Sequence, residues 1–167
     1  MKQFKDTRGE AWTVAVNGGT IKRASGLLGV DLGNPQAGSP PLLTRIDTDF
    51  AFLVDLLYVV VKPEADQRNL SDVQFSERLE GEALALAHDA FMEEWADFFR
   101  SVRRSHLEKL VRRQMRIVAD AVAMADKTVS SPEFDQAVRA KMAELGESFA
   151  SLPGSVVSNP SHARSAN

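Results

Sequence analysis

Between Trp12 and Leu28 the apolar residues change from every second position to every third or fourth. No other feature constrains the fold as tightly, because the two periods belong to a strand and to a helix. Trp12, Val14 and Val16 alternate with Thr13 and Ala15, as a half-buried strand requires. Asn17-Gly18-Gly19 breaks the alternation. Beyond it Ile21, Ala24, Leu27 and Leu28 share one helical face, with Lys22 and Arg23 toward water. Thr20 is the expected N-cap and Gly29 the expected end of that helix. Upstream, Gln3–Thr7 and Ala11–Val16 flank the polar turn Arg8-Gly9-Glu10 and read as a hairpin. Two strands are marginal alone in water, so the hairpin must lean on helices or on a neighbouring subunit.

After the loop Gly33–Pro41, the rest of the chain reads as helices. Asp47 or Thr48 is placed to cap a helix over Asp49–Lys62, and Pro63 should stop it. That segment is apolar on nearly all sides and predicts a central buried helix, although Val59-Val60-Val61 leaves a strand reading open. Ser71 with Gln74 forms a capping-box pattern before a helix over Asp72–Leu79. Leu84, Ala87, Phe91, Trp95 and Phe98 stripe a helix over Glu82–Phe99. Leu107, Leu110, Val111, Val118, Ala121, Val122 and Ala125 stripe another from Ser105 to about Lys127, after a break at Arg100–Ser105. Ser130 and Glu133 frame a last capping box, with Pro132 in the first turn, for a helix to about Phe149.

The expected fold is therefore α+β and mainly α-helical: a small N-terminal β-hairpin, then five or six helices in one domain over residues 1–150. Residues 151–167, rich in Ser, Pro and Asn, read as a disordered tail. A length of 167 residues suffices for one core, and 44% apolar with 26% charged residues is ordinary for a soluble protein. The absence of cysteine excludes disulfides, thiolate metal sites and a cysteine nucleophile. The start of the chain lacks the apolar stretch of a signal peptide, and Phe50–Val61 is too short to span a bilayer. A cytoplasmic location with no membrane partner is expected.

Residues with chemistry are few. His88, His106 and His162 make no ligand pair at helical or turn spacing. Asp55, inside the apolar helix, is either a raised-pKa acid or a carboxylate at a polar edge. Gly18-Gly19-Thr20 opens a helix whose backbone donors suit an anion, yet it lacks the lysine of a phosphate loop and the third glycine of a dinucleotide fingerprint. No nucleophile–base set and no carboxylate pair is legible, so neither an enzyme nor a cofactor is expected.

Charge is segregated instead. Glu77, Glu80, Glu82, Asp89, Glu93, Glu94 and Asp97 precede Arg100, Arg103, Arg104, Lys109, Arg112, Arg113 and Arg116. The basic block is either a solvated face pairing with the acidic helix or a docking surface for an acidic partner. A net charge of −3 and a stripe without interleaved aromatics speak against nucleic acid. The candidate partner contacts are Trp95, Phe98 and Phe99 on the aromatic stripe, and Arg112, Arg113 and Arg116 on the basic face.

The order of elements in WTVAVNGGTIKRASGLLGVDL, FAFLVDLLYVVVKPEAD and LSDVQFSERLEGEALALAHDAFMEEWADFF resembles the tail assembly chaperones of long-tailed bacteriophages and related gene-transfer particles. The resemblance covers about Phe4 to Phe99, with Leu28–Leu32 fitting the family's Leu-Gly-Val-Asp-Leu segment. It implies a non-enzymatic factor that coats the tape-measure protein, recruits tail-tube protein and can self-associate as a homo-oligomer. The helix after Arg100 lies outside it.

Overall fold

The computed structural model describes residues 1–150, with side chains through Leu145, so the tail expected at 151–167 lies outside the described residues. Strands β1 (Lys2–Lys5) and β2 (Ala11–Val14) pair antiparallel, Lys2 opposite Val14 and Lys5 opposite Ala11. Both are shorter than the alternation suggested, but Phe4, Trp12 and Val14 point into the core as it required. The buried carboxylate of Asp6 accepts the amides of Arg8 and Glu10 at 2.9 Å each, which holds the turn closed. Gly9 sits there at φ 78°, a conformation that costs glycine little.

Seven helices follow among the described residues: α1 Gly18–Leu28, α2 Leu42–Thr48, α3 Phe50–Gln67, α4 Asp72–Ser76, α5 Glu82–Ser101, α6 Ser105–Val129 and α7 Pro132–Ala150. Helix α1 starts earlier than a Thr20 cap would allow. Its N-cap is Asn17, whose Oδ1 accepts the amides of Gly19 at 2.9 Å and Thr20 at 3.1 Å. The Thr20 hydroxyl is committed elsewhere, donating to the Ala15 carbonyl at 2.7 Å. Gly29 ends the helix at φ 66°.

Helix α3 includes Val59-Val60-Val61 as the helix reading expected, but it corrects the expected stop at Pro63 by running on to Gln67. A proline lacks the amide that would bond the carbonyl four residues back, here that of Val59. Arg23 of α1 supplies the missing donor: its Nε reaches the Val59 carbonyl at 3.1 Å and its Nη2 the Val60 carbonyl at 3.3 Å. Arg23 is thus half-buried and not a water-facing cation. Asp55 faces solvent on the outer side of α3, so the acid reading fails and the polar-edge reading holds.

The Ser71–Gln74 capping box forms in both directions, although α4 stops at Ser76. Helix α7 is capped by Ser131, whose hydroxyl accepts the Phe134 amide at 3.2 Å, one residue later than the expected Ser130. The break between α5 and α6 is real: Arg103 adopts φ 59°, and the Arg104 amide returns to the Phe99 carbonyl at 2.8 Å.

The residues group into two compact units, Met1–Asp120 and a second from Ala121 onward. In the first, β1 packs on α5, β2 on α3, and α3 touches α1, α2, α4 and α5. Its core centres on Trp12, Phe75, Phe91, Trp95 and Phe99. In the second, none of the residues from Ala121 to Leu145 is buried.

Candidate functional site

Trp95 and Phe99 are core residues. Each has 0% exposure, and with Phe91 they stack along α5 at centroid spacings of 5.6 and 5.7 Å. The Trp95 indole donates to the Leu32 carbonyl at 2.8 Å, pinning the end of the Leu28–Leu32 segment against α5. A buried ring with a satisfied N–H is a packing device, so these two positions are corrected from partner contacts to core. Phe98 is half-buried against Phe99, at a centroid distance of 5.5 Å. The helical period identified the stripe correctly; it cannot say whether the protein itself covers the stripe.

The basic face divides too. Arg112 is spent within the fold, bonding Asp97 of α5 at 2.7 Å and Glu108 at 3.1 Å. Arg113 and Arg116 are exposed and, like Lys109, have no ion-pair partner among the described residues. So α6 meets the acidic helix through Arg112 and turns its remaining cations outward. Its root is fixed by Val111, which is buried, and by Gln114, whose Nε2 donates to Asp47 at 2.7 Å.

Asp47 also faces His88, with Nε2 and Oδ1 separated by 3.0 Å, while Asp89 lies 3.3 Å from Nδ1. Burial pushes the His88 pKa down, but the two carboxylates outweigh it and leave the value raised. Asp47 thus links α2 to α5 through His88 and to α6 through Gln114. No group of three or more possible metal ligands forms among the described residues.

A second polar cluster, unforeseen from sequence, sits under the hairpin. Asp6 accepts the Trp12 indole at 3.0 Å, and Arg78 bonds Glu10 at 2.8 Å. Arg68 stacks over the Trp12 ring at 4.1 Å, bonds Glu10 at 3.0 Å and reaches the Ala11 carbonyl at 2.7 Å. Glu64 accepts the Thr13 amide at 3.0 Å. Burial pushes the Asp6 carboxyl up, and its donors from Trp12, Glu10, Arg8 and Arg78 more than offset this, leaving a lowered pKa. Every one of these charges is directed at hairpin backbone or at another member. The cluster anchors β2 and its turn on the end of α3 and on Arg78 just after α4, and offers no open reacting position.

An open cavity of about 420 Å³ lies between the loop residues Gly29–Asp31 and Ala37–Pro40. Its ionisable groups are Asp31 and Arg45, and Arg45 is already paired with Asp49 and stacked on Phe52. At the Gly18-Gly19-Thr20 turn, the amides that suit an anion are occupied by Asn17. Neither place assembles a nucleophile with a base.

Beyond Ala121 large apolar side chains are left uncovered. Val122, Met124, Val129, Phe134, Val138 and Met142 are exposed, Met124 by 71% and Met142 by 69%. The amphipathic stripe expected over Ser105–Lys127 is thus covered only in its first half. Among the described residues no helix is long and apolar enough to cross a membrane. No family model, no curated protein and no solved structure matches the chain.

Proposed function

We propose that this protein is a non-enzymatic assembly factor, a tail assembly chaperone of a bacteriophage or prophage, acting in the host cytoplasm. It binds the tape-measure protein, keeps that long helical client soluble and helps bring tail-tube protein to it. One observation carries this reading: from Val122 to Leu145 large apolar side chains stand exposed where no residue is buried. Contiguous exposed apolar surface marks a binding site. Amphipathic client helices present matching stripes at the same period. Covering what remains exposed of four such side chains contributes roughly 3–6 kcal/mol before the costs of ordering and association. Trp95 and Phe99 have no part in this, while Arg113 and Arg116 remain available to an acidic partner.

The test is co-expression with the tape-measure protein. The client's soluble fraction should rise and the two should co-purify. Replacing Met124, Phe134, Val138 and Met142 together by Gln should abolish both effects while leaving the unfolding of Met1–Asp120 unchanged. No co-purification and no gain in client solubility would end this reading. Retention in finished particles would make the protein a virion component instead.

A further inference from the structure

The two edges of the hairpin differ in what covers them. In an antiparallel pair, successive residues turn their backbone N–H and C=O alternately toward the partner strand and away from it. The Asp6 amide donates to the Glu10 carbonyl at 3.0 Å, which places the bonded pairs at Phe4–Trp12 and Lys2–Val14. Ala11, Thr13 and Ala15 therefore face outward along β2 and just beyond it, and helix side chains close that edge. Arg68 donates to the Ala11 carbonyl at 2.7 Å, Glu64 accepts the Thr13 amide at 3.0 Å, and Thr20 donates to the Ala15 carbonyl at 2.7 Å. Gln3 and Lys5 face outward along β1 by the same alternation. Both are exposed, and their backbone N–H and C=O groups have no partner among the described residues.

We propose that this open edge of β1 docks an extended acidic segment of a partner protein, which adds a third strand to the hairpin beside Gln3 and Lys5. The shape of the occupant follows from the backbone: donors and acceptors two residues apart are matched by another extended chain. Its charge follows from the cations at that edge. Lys5 and Arg8 are exposed and have no ion-pair partner among the described residues, whereas Lys2 is paired with Glu93 at 2.7 Å. A lysine on an open edge discourages strands of like charge. A second copy of β1 would bring such cations against their own kind, so the charges that reject it admit an acidic strand. Docking leaves the core undisturbed, because Phe4, between Gln3 and Lys5, already points inward and is 4% exposed. The site lies within Met1–Asp120 and uses none of the exposed apolar residues on which the proposed function rests.

Amide hydrogen exchange of the isotope-labelled full chain tests it, with a short capped peptide of alternating valine and glutamate as the probe. Opposite Gln3 and Lys5, the glutamates share their face and turn their own amides toward β1. Saturating peptide should slow exchange of the Gln3 and Lys5 amides at least about tenfold, and slow the Thr13 amide, already donating to Glu64, far less. The same peptide N-methylated at its glutamates should not bind. A peptide with lysine in place of glutamate should bind at least about tenfold more weakly, a gap that narrows in about 500 mM salt and reverses with Lys5→Glu. Lys5→Pro removes one edge donor at a position where proline is tolerated, and should abolish binding with an unchanged urea midpoint. If that variant unfolds, the N-methylated peptide puts the same question to the wild type. No binding at about 1 mM peptide, equal binding of the methylated peptide, or binding without protection of Gln3 and Lys5 would each overturn the proposal. Protection of those amides that grows with the concentration of the protein alone would assign the edge to a second copy and overturn it too.

Discussion

The passage of α3 through Pro63 rests on one side chain, and that makes it measurable. Pro63 leaves the Val59 carbonyl without its helical donor, and Arg23 fills the vacancy from α1 at 3.1 Å. Val59 and Val60 are each only 3% exposed, so Arg23→Ala strands a buried acceptor. Such a loss costs about 1–3 kcal/mol, and a bond from a charged donor lies in the upper half of that range. A cavity of about 170 Å³ borders Arg23 and Pro63, so water can reach the carbonyl after truncation and soften the cost. We expect about 1.5–2 kcal/mol. Trp12 and Trp95 both have 0% exposure in this unit, so tryptophan fluorescence reports its urea unfolding directly. At a slope of about 1–3 kcal/mol/M the midpoint should fall by roughly 1 M with an unchanged slope. The decisive comparison is with Pro63→Ala, which restores a backbone donor to Val59 and should itself be neutral or stabilising. In that background Arg23→Ala should cost about 1 kcal/mol less than it does in the wild type. Strict additivity of the two substitutions would refute the idea that Arg23 replaces the proline's missing hydrogen bond.

Three further outcomes follow from single contacts. The folded His88 holds its proton more tightly than the unfolded chain does, because its pKa is raised. Its contribution is therefore full below about pH 6.5, the unfolded value, and disappears as pH climbs through the raised folded value. The stability difference between wild type and His88→Gln should shrink across that window, and a pH-independent difference would count against the Asp47–His88 contact. Trp95→Phe keeps the stack with Phe91 and Phe99 but strands the Leu32 carbonyl, costing about 2 kcal/mol, or roughly 6–10 °C in Tm; an unchanged Tm would show that this bond holds nothing. Arg103→Gly should stabilise by about 0.5–1 kcal/mol, since φ 59° strains any residue with a Cβ, and a lower urea midpoint would contradict the cap geometry.

The parts of the fold legible in sequence are those decided within a few residues. The hairpin, the Ser71–Gln74 box, the extent of α5 and the break before α6 depend on local period, caps and turns. What was misread depends on distant partners or on competition between equivalent local choices. Asn17 and Thr20 both belong to the capping class, and the choice falls to Asn17 because the Thr20 hydroxyl is taken by Ala15. Pro63 reads as a stop unless Arg23, far back in the chain, is known to face Val59. Helix α2 is short and follows two prolines, yet Leu42, Leu43 and Ile46 are buried, so tertiary packing holds it where propensity alone would not. The polar cluster under the hairpin has the same cause: Asp6 and Arg78 are distant in sequence, and no spacing rule connects them.

The candidate contacts failed or survived for a related reason. Trp95 lies on an amphipathic stripe and Met124 beside one, and a stripe reports which face of a helix prefers to leave water, not what covers it. For Trp95 the cover is Leu32 with the neighbouring rings, so the stripe is spent on stability. For Met124 no cover exists among the described residues, and the same preference stays unspent. Charge follows the same logic, because Arg112 is consumed by Asp97 whereas Arg113, one residue on, points away. On the proposed reading, function is carried by the remainder, namely the apolar and charged groups that the contacts among the described residues leave over. Here that remainder is apolar beyond Ala121, cationic along α6 and hydrogen-bonding along the open edge of β1. A partner that satisfied only one of these would leave the others exposed to solvent.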